Sequence, residues 1–191
     1  ELLFDMQIRA TREIDSKCPA YHLKFDVKKL MWEFDFMLDH YVGGLCGAPL
    51  ESIAKKEVQE VFSPLCELLA VQKLYFTHRD YHSRNLMVDG NRLVLIDFQD
   101  ARMGPCQYDL VSLLKDSYTQ IDDSLLEELV ELYVQIKEKE EGRKVDREEF
   151  CRAFDGASLQ RNLKALGTFA YQSVKKNNHR YNRYIAPTLD Y

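Results

Sequence analysis

THRDYHSRNLMVDGNRLVLIDFQDA, residues 77–101, is the stretch that decides the fold. Its two apolar runs, Asn85–Val88 and Arg92–Ile96, are short and aliphatic, and Asp89, Gly90 and Asn91 between them are the residues that a tight hairpin turn requires. The segment therefore reads as a loop, a β-hairpin and a second loop. Both loops are crowded with polar groups: His78, Arg79, Asp80, His82 and Asn85 precede the first strand, and Asp97 and Asp100 follow the second. Antiparallel pairing brings the two ends of a hairpin together, so Asn85 and Asp97 are expected side by side despite their separation in sequence.

One carboxylate and one amide oxygen suit magnesium, a hard cation that takes a few protein oxygens and keeps its other positions for water and phosphate. Asp80, a few residues ahead on the same loop, is placed to accept a proton from a hydroxyl approaching that phosphate, which is the division of labour in phosphoryl transfer. The competing reading is turn chemistry, since Asp and Asn flank hairpins because they cap and tolerate unusual backbone angles. The trio together with both histidines at these spacings favours the chemical reading. His78 and His82 are expected to hydrogen-bond backbone and shape the loop, and Arg79 to form a local salt bridge. Asp100 would either touch a second metal or substrate or stabilise the loop.

Away from the hairpin the periodicity is helical. A short helix containing Leu2, Leu3, Met6 and Ile8 is expected to end before Cys18. A second runs from an Asp26 N-cap to about Tyr41 with Leu30, Met31, Phe34, Leu38 and Tyr41 inward, stopping at Gly43 and Gly44. A third covers Ser52–Gln72, with Val58, Phe62, Leu65 and Leu69 inward and Pro64 bending it. Further helices are predicted over Tyr108–Lys115, Ser124–Glu141 with a Ser124/Glu127 capping box, Asp146–Phe154 and Leu159–Lys176. Glu33 and Asp39 read as a solvated face, Trp32, Tyr41 and Tyr108 as core, and the basic stretch SVKKNNHRYNRY as a solvated end. The fold class is α+β, mostly α.

The 191 residues suffice for a sizeable core, and a net charge of -5 argues against a nucleic-acid or membrane-surface partner. Apolar runs such as Leu93–Ile96 are far shorter than the ~20 residues of a membrane span, and the first residues have no basic leader character, so a cytoplasmic protein is expected. Five scattered cysteines without a C-x-x-C pair read as reduced, buried thiols rather than a disulfide or zinc framework.

His78-Arg79-Asp80 followed by Asn85 is similar to the H-R-D-x-x-x-x-N catalytic loop of protein kinases, and Asp97-Phe98 to the start of their D-F-G motif. The set His78, Asp80, His82 and Asn85, with IDFQDA followed by GPCQYDL, more closely resembles the aminoglycoside phosphotransferase and choline kinase superfamily. Within it, HRDYHSRNLMV and IDFQDARMGP most resemble the bacterial cell-wall amino-sugar kinases, which phosphorylate the anomeric hydroxyl of N-acetylmuramate or N-acetylglucosamine. WEFDFMLDHYVGG is similar to the helix that these kinases run before the catalytic loop.

The resemblance implies the C-terminal lobe of a kinase-like fold, with a short catalytic hairpin among helices. It makes Asp80 the catalytic base, Asn85 and Asp97 the Mg2+ ligands, ATP the co-substrate and an amino sugar the suspected small-molecule acceptor. Asp109, which by itself reads as a helix cap, would brace the catalytic loop. Gln99 in place of the D-F-G glycine, the missing A-P-E and the short segment from Asp97 to Asp109 favour a small-molecule acceptor over a protein. No G-x-G-x-x-G follows a strand and no V-A-I-K lysine is present, while GGLCG at 43–47 reads as a cap and turn. Residues 1–191 are therefore expected to be one C-terminal lobe whose ATP-binding lobe lies upstream, with little activity alone and with nucleotide contacts unidentified. The alternatives are an inactive ligand-binding module, opposed by the intact Asp80, Asn85 and Asp97, and a protein kinase lobe, opposed by the short segment after Asp97.

Overall fold

The computed structural model describes residues 1–191. In chain order it contains α1 (Leu2–Glu13), α2 (Pro19–His22), α3 (Val27–Met37) continuing as a π-helix over Leu38–Leu45, and α4 (Ser52–Ala70). Then come β1 (Leu74–Thr77), a 3-10 turn at Ser83–Asn85, β2 (Leu86–Asp89), β3 (Arg92–Leu95) and β4 (Arg102–Pro105). The remainder is α5 (Cys106–Leu114), α6 (Asp123–Glu141), α7 (Arg147–Lys176), a 3-10 stretch at His179–Tyr184 and α8 (Ile185–Leu189). The chain is mostly helical with two antiparallel strand pairs, and no helix is long and apolar enough to cross a membrane.

Two compact units divide the chain: Glu1–Lys24 with Gln72–Asp155, and Phe25–Val71 with Gly156–Tyr191. In the first, β2 pairs with β3 as a hairpin from Leu86↔Leu95 to Asp89↔Arg92, and Gly90 adopts φ 59, the left-handed backbone that a two-residue loop needs. A second ladder, β1 with β4, runs from Leu74↔Pro105 to Thr77↔Arg102. The sequence gives little sign of it, because each strand has four residues and its partner lies far along the chain. Met103 N also donates to Leu23 O at 2.8 Å. Behind these strands α5 is buried on nearly every side, which is why its sequence lacks a polar stripe. The amide of Gln7, fully buried on α1, donates to Cys106 O at 3.0 Å and accepts from the Tyr133 hydroxyl at 2.5 Å, so both ends are satisfied. Glu141 at the end of α6 accepts from Lys137 Nζ at 2.7 Å and from the Tyr75 hydroxyl.

In the second unit Phe34 of α3 stacks flat on Phe62 of α4, with ring centroids 4.0 Å apart. Leu30, Phe34, Met37, Leu38, Cys66, Leu69 and Leu166 are among its buried apolar residues. Asp26 caps α3 by accepting from Lys29 N at 2.7 Å, as expected.

Several expectations are corrected. Gly43 and Gly44 do not stop their helix; it widens into a π-helix, with Cys46 N donating to Tyr41 O at 2.9 Å, and Gly47 supplies the left-handed residue at φ 69. Glu33 is buried, not solvated: Gln160 Nε2 donates to it at 2.8 Å and Lys29 Nζ lies 3.3 Å away. Trp32 is half exposed beneath the Lys29 ammonium rather than in the core. Asp122, not Ser124, caps α6 by accepting from Leu125 N at 2.9 Å. The two helices predicted after Asp146 are one, α7. Gly156 lies within it, and its bare backbone leaves room for the Leu65 side chain, whose Cδ1 would stand 2.9 Å from a Cβ placed there. Among the cysteines, all free, Cys66 and Cys106 are buried, but Cys46 and Cys151 are exposed. The basic end folds back, its Tyr181 stacking on Phe169 at 5.7 Å.

Candidate active site

The two ladders turn two loops into neighbours. Loop 78–85 connects β1 to β2 and loop 96–101 connects β3 to β4, so the β1–β4 and β2–β3 pairings clamp both ends of both loops. Ile96 N donates to Asn85 O at 3.1 Å, continuing the hairpin ladder by one pair, and Asp97 follows immediately. The expected juxtaposition of Asn85 with the start of the second loop is therefore what the backbone shows.

Asn85 is buried, and its Nδ2 donates to Asp80 O at 2.9 Å. That bond orients the amide and leaves Oδ1 as its acceptor end. The Asp80 carbonyl also accepts from His82 N at 3.0 Å, and Asn85 N donates to His82 O at 2.9 Å, so residues 80–85 form a tight hydrogen-bonded turn. Asp97 is exposed, with Gln99 Nε2 donating to its Oδ1 at 2.5 Å. Two residues of these loops, Arg79 at φ 81 and Asp97 at φ 71, hold left-handed backbones without being glycine. Such residues cost about 1–3 kcal/mol each and persist where the surroundings over-determine them.

Those surroundings can be named. Asp109 on α5 is fully buried, and its carboxylate accepts from His78 N at 2.7 Å and Arg79 N at 2.8 Å. Arg79 Nη1 meets the Asp100 carboxylate at 3.2 Å, the local ion pair its sequence position suggests. The buried imidazole of His78 donates through Nε2 to Ile96 O at 3.0 Å, joining one loop to the other. Burial lowers the His78 pKa, with the Ile96 carbonyl and the negative charges of Asp80 and Asp97 opposing it. Both carboxylates therefore lie within electrostatic reach of one ring. The His82 ring meets Tyr118 edge-on at 5.2 Å.

Sequence reasoning missed Asp116. Buried just past α5, it accepts from Ser83 N at 2.9 Å and Ser83 Oγ at 2.6 Å, and its other oxygen accepts from Tyr118 N at 2.9 Å. The stretch DSYT reads only as a turn, and nothing local in it points back to Ser83.

One amide oxygen and one carboxylate beside a turn that presents Asp80 fit a hard, oxygen-seeking cation held jointly with phosphates. No group of three or more His, Cys, Asp or Glu gathers in the structure; Asn85 and Asp97 would supply only two of the oxygens that such a cation takes. The hairpin is apolar yet open, with Met87, Val88, Leu93 and Val94 exposed, as are Ile96 and Phe98 of the loop that follows it.

The APH phosphotransferase enzyme family matches residues 31–145. An N-acetylmuramate/N-acetylglucosamine kinase of Neisseria meningitidis serogroup B is 31% identical over 170 residues, covering 88% of this chain and 51% of that protein. One from Pseudomonas putida is 32% identical over 170 residues, covering 88% and 49%. The chain thus spans about half the length of these relatives. A crystal structure of choline kinase from Cryptosporidium parvum superposes with a TM-score of 0.40 and 14% identity, over 99% of this chain and 54% of that one.

Proposed function

Since the chain belongs to the APH phosphotransferase enzyme family, we propose that it is the catalytic portion of an ATP- and Mg2+-dependent small-molecule kinase whose acceptor is an amino-sugar hydroxyl. The observation that carries this reading is the double clamp of strands that sets Asp80, Asn85 and Asp97 on two adjoining loops. Supporting the acceptor class are its relatives, which are N-acetylmuramate/N-acetylglucosamine kinases.

In this mechanism Asn85 and Asp97 would hold Mg2+, which would supply positive charge to neutralise the terminal phosphates of ATP. The Asp80 carboxylate orients the acceptor hydroxyl and takes its proton as the oxygen bonds to the γ-phosphorus and the bond to ADP breaks. Asp109 and Asp116 hold loop 78–85 from behind through its backbone N–H groups, and His78 ties it to the loop bearing Asp97. An ATP-binding lobe seated on the hairpin would cover its exposed aliphatic side chains, which a hydrophilic surface has no reason to carry.

The experiment is phosphate transfer from ATP by the full-length protein, offered N-acetylmuramate, N-acetylglucosamine, choline, an aminoglycoside and a protein substrate. Transfer to the amino sugars is expected. Asp80→Ala should cut kcat by about 10²- to 10⁴-fold with nucleotide affinity nearly intact, whereas Asp97→Ala should weaken Mg-ATP binding itself. Equal loss of nucleotide affinity in both variants, or transfer to none of the acceptors, would overturn the assignment.

A further inference from the structure

The second unit contains a cavity of about 380 Å³ that the mechanism above leaves unused, bordered by the π-helix after α3, the chain reversal that follows it and the end of α7. Its size falls in the range of small-molecule sites. The backbone builds it. The π-helix, a rare form that recurs at functional sites, presents Gly43 and Gly44 to the cavity. Gly47 at φ 69 then reverses the chain, and Ala48 N donates to Val42 O at 3.0 Å. Pro49 and Leu50 come back as a wall, with Pro49 Cα 3.5 Å from where a Cβ on Gly43 would stand.

Asp39, His40, Lys55 and Lys175 bring charge to this cavity. Asp39 is neutralised by Lys55, whose Nζ lies 2.6 Å from its Oδ1 and 3.9 Å from Asp35 Oδ1. Lys175 forms no ion pair, so its ammonium is the surplus charge of the lining. His40 is held edge-on by Phe36 and Tyr171, with ring centroids at 4.3 and 5.0 Å. Burial lowers the His40 pKa, the Asp39 charge opposes that and the Lys175 ammonium adds to it, so at neutral pH the ring offers one N–H. An ammonium and an imidazole N–H are separate point donors without the fork that reads a planar carboxylate, and they suit the three spread oxygens of a phosphate. Leu38, Pro49 and Leu50 add an apolar surface that inorganic phosphate does not use.

We propose that this cavity binds a phosphate monoester of a small organic molecule, with Lys175 and His40 holding the phosphate and Leu38, Pro49 and Leu50 facing the carbon skeleton. Two sources share that chemistry: the sugar phosphate that the proposed reaction would release, an assignment that rests on the amino-sugar reading, and a phosphorylated metabolite made elsewhere. The cavity itself depends on neither.

The test is calorimetric titration of the full-length protein in EDTA, so that the proposed metal site holds no phosphate, with N-acetylglucosamine 1-phosphate, glucose 6-phosphate, inorganic phosphate and N-acetylglucosamine. At least one ester should bind about tenfold or more tightly than inorganic phosphate and the neutral sugar. Lys175 is exposed, so Lys175→Met should fold normally. It should weaken that ester on the order of 10-fold, the worth of one charge-assisted contact. Lys176→Met, which alters the next residue of α7 outside the cavity, should stay within about threefold of wild type. A Cβ on Gly44 would meet nothing nearer than Asp39 O at 3.5 Å, so Gly44→Leu should fold, fill the space and lower the affinity as well; its melting temperature checks the first point. Preference for N-acetylglucosamine 1-phosphate assigns the site to the reaction product, and preference for glucose 6-phosphate to another metabolite; either supports the receptor. Absence of ester binding, inorganic phosphate binding as tightly as the esters, unchanged ester affinity in Lys175→Met, or an equal loss in Lys176→Met would overturn it. Failure of phosphate transfer in the experiment above leaves this measurement intact, so the two readings fail separately.

Discussion

Asp109→Asn isolates the support beneath the catalytic loop. The carboxylate is fully buried and its two oxygens accept from His78 N and Arg79 N at 2.7 and 2.8 Å. Asparagine keeps the shape and one oxygen, but its Nδ2 meets a backbone N–H where an oxygen accepted before. One charge-assisted bond of about 1.5–3 kcal/mol disappears, a buried donor is left unsatisfied, and the surviving bond becomes neutral, which together amount to about 3–4 kcal/mol. Relaxation of Arg79 from φ 81 offsets part of this, so the net loss should be about 2–4 kcal/mol. With a urea slope of roughly 2 kcal/mol per molar for a chain of this size, the unfolding midpoint should fall by about 1–2 M. Circular dichroism of the wild type and the variant across a urea series measures it. A midpoint shift below about 0.3 M would refute the reasoning, because it would mean that the two N–H groups find other acceptors.

Glu141→Gln should destabilise the protein at neutral pH by about 3 kcal/mol, because the nearly buried Lys137 ammonium loses its charge partner. Burial pushes the Glu141 carboxyl up, but hydrogen bonds from Lys137 and Tyr75 outweigh it and hold the pKa at about 2 against an ordinary 4.5. With the folded value below the unfolded one, this stabilisation is complete above pH 4.5 and is lost as pH falls from there towards 2, so stability curves of the variant and wild type should converge in acid. Gly167→Ala would place a Cβ 2.8 Å from Met37 Cα, a backbone atom that cannot step aside. Overpacking of about 1–3 kcal/mol should therefore exceed the ~1 kcal/mol of helix propensity that alanine adds, and thermal unfolding should show a lower midpoint. Gly156→Ala, facing the movable end of Leu65, should be milder in the same assay.

Much of the molecule follows from sequence because it depends on local chemistry. The hairpin over residues 86–95 announces itself by aliphatic runs around Asp89-Gly90-Asn91. α3 is marked by its Asp26 cap and apolar spacing, and the residue types of His78, Asp80, Asn85 and Asp97 already limit what their loops can do. Tertiary structure alone decided the rest. It paired β1 with β4 and so closed both ends of the two loops; it aimed Asp109 and Asp116 at backbone N–H groups some thirty residues away; it kept Gly156 inside one long helix, and it buried Glu33 on a face that reads as solvated. The physical reason is the range of the forces. Turns, caps and periodicity are settled by neighbours a few residues apart, whereas burial and the pairing of distant strands are settled by whichever surface arrives from elsewhere in the chain. A short segment does not encode that surface.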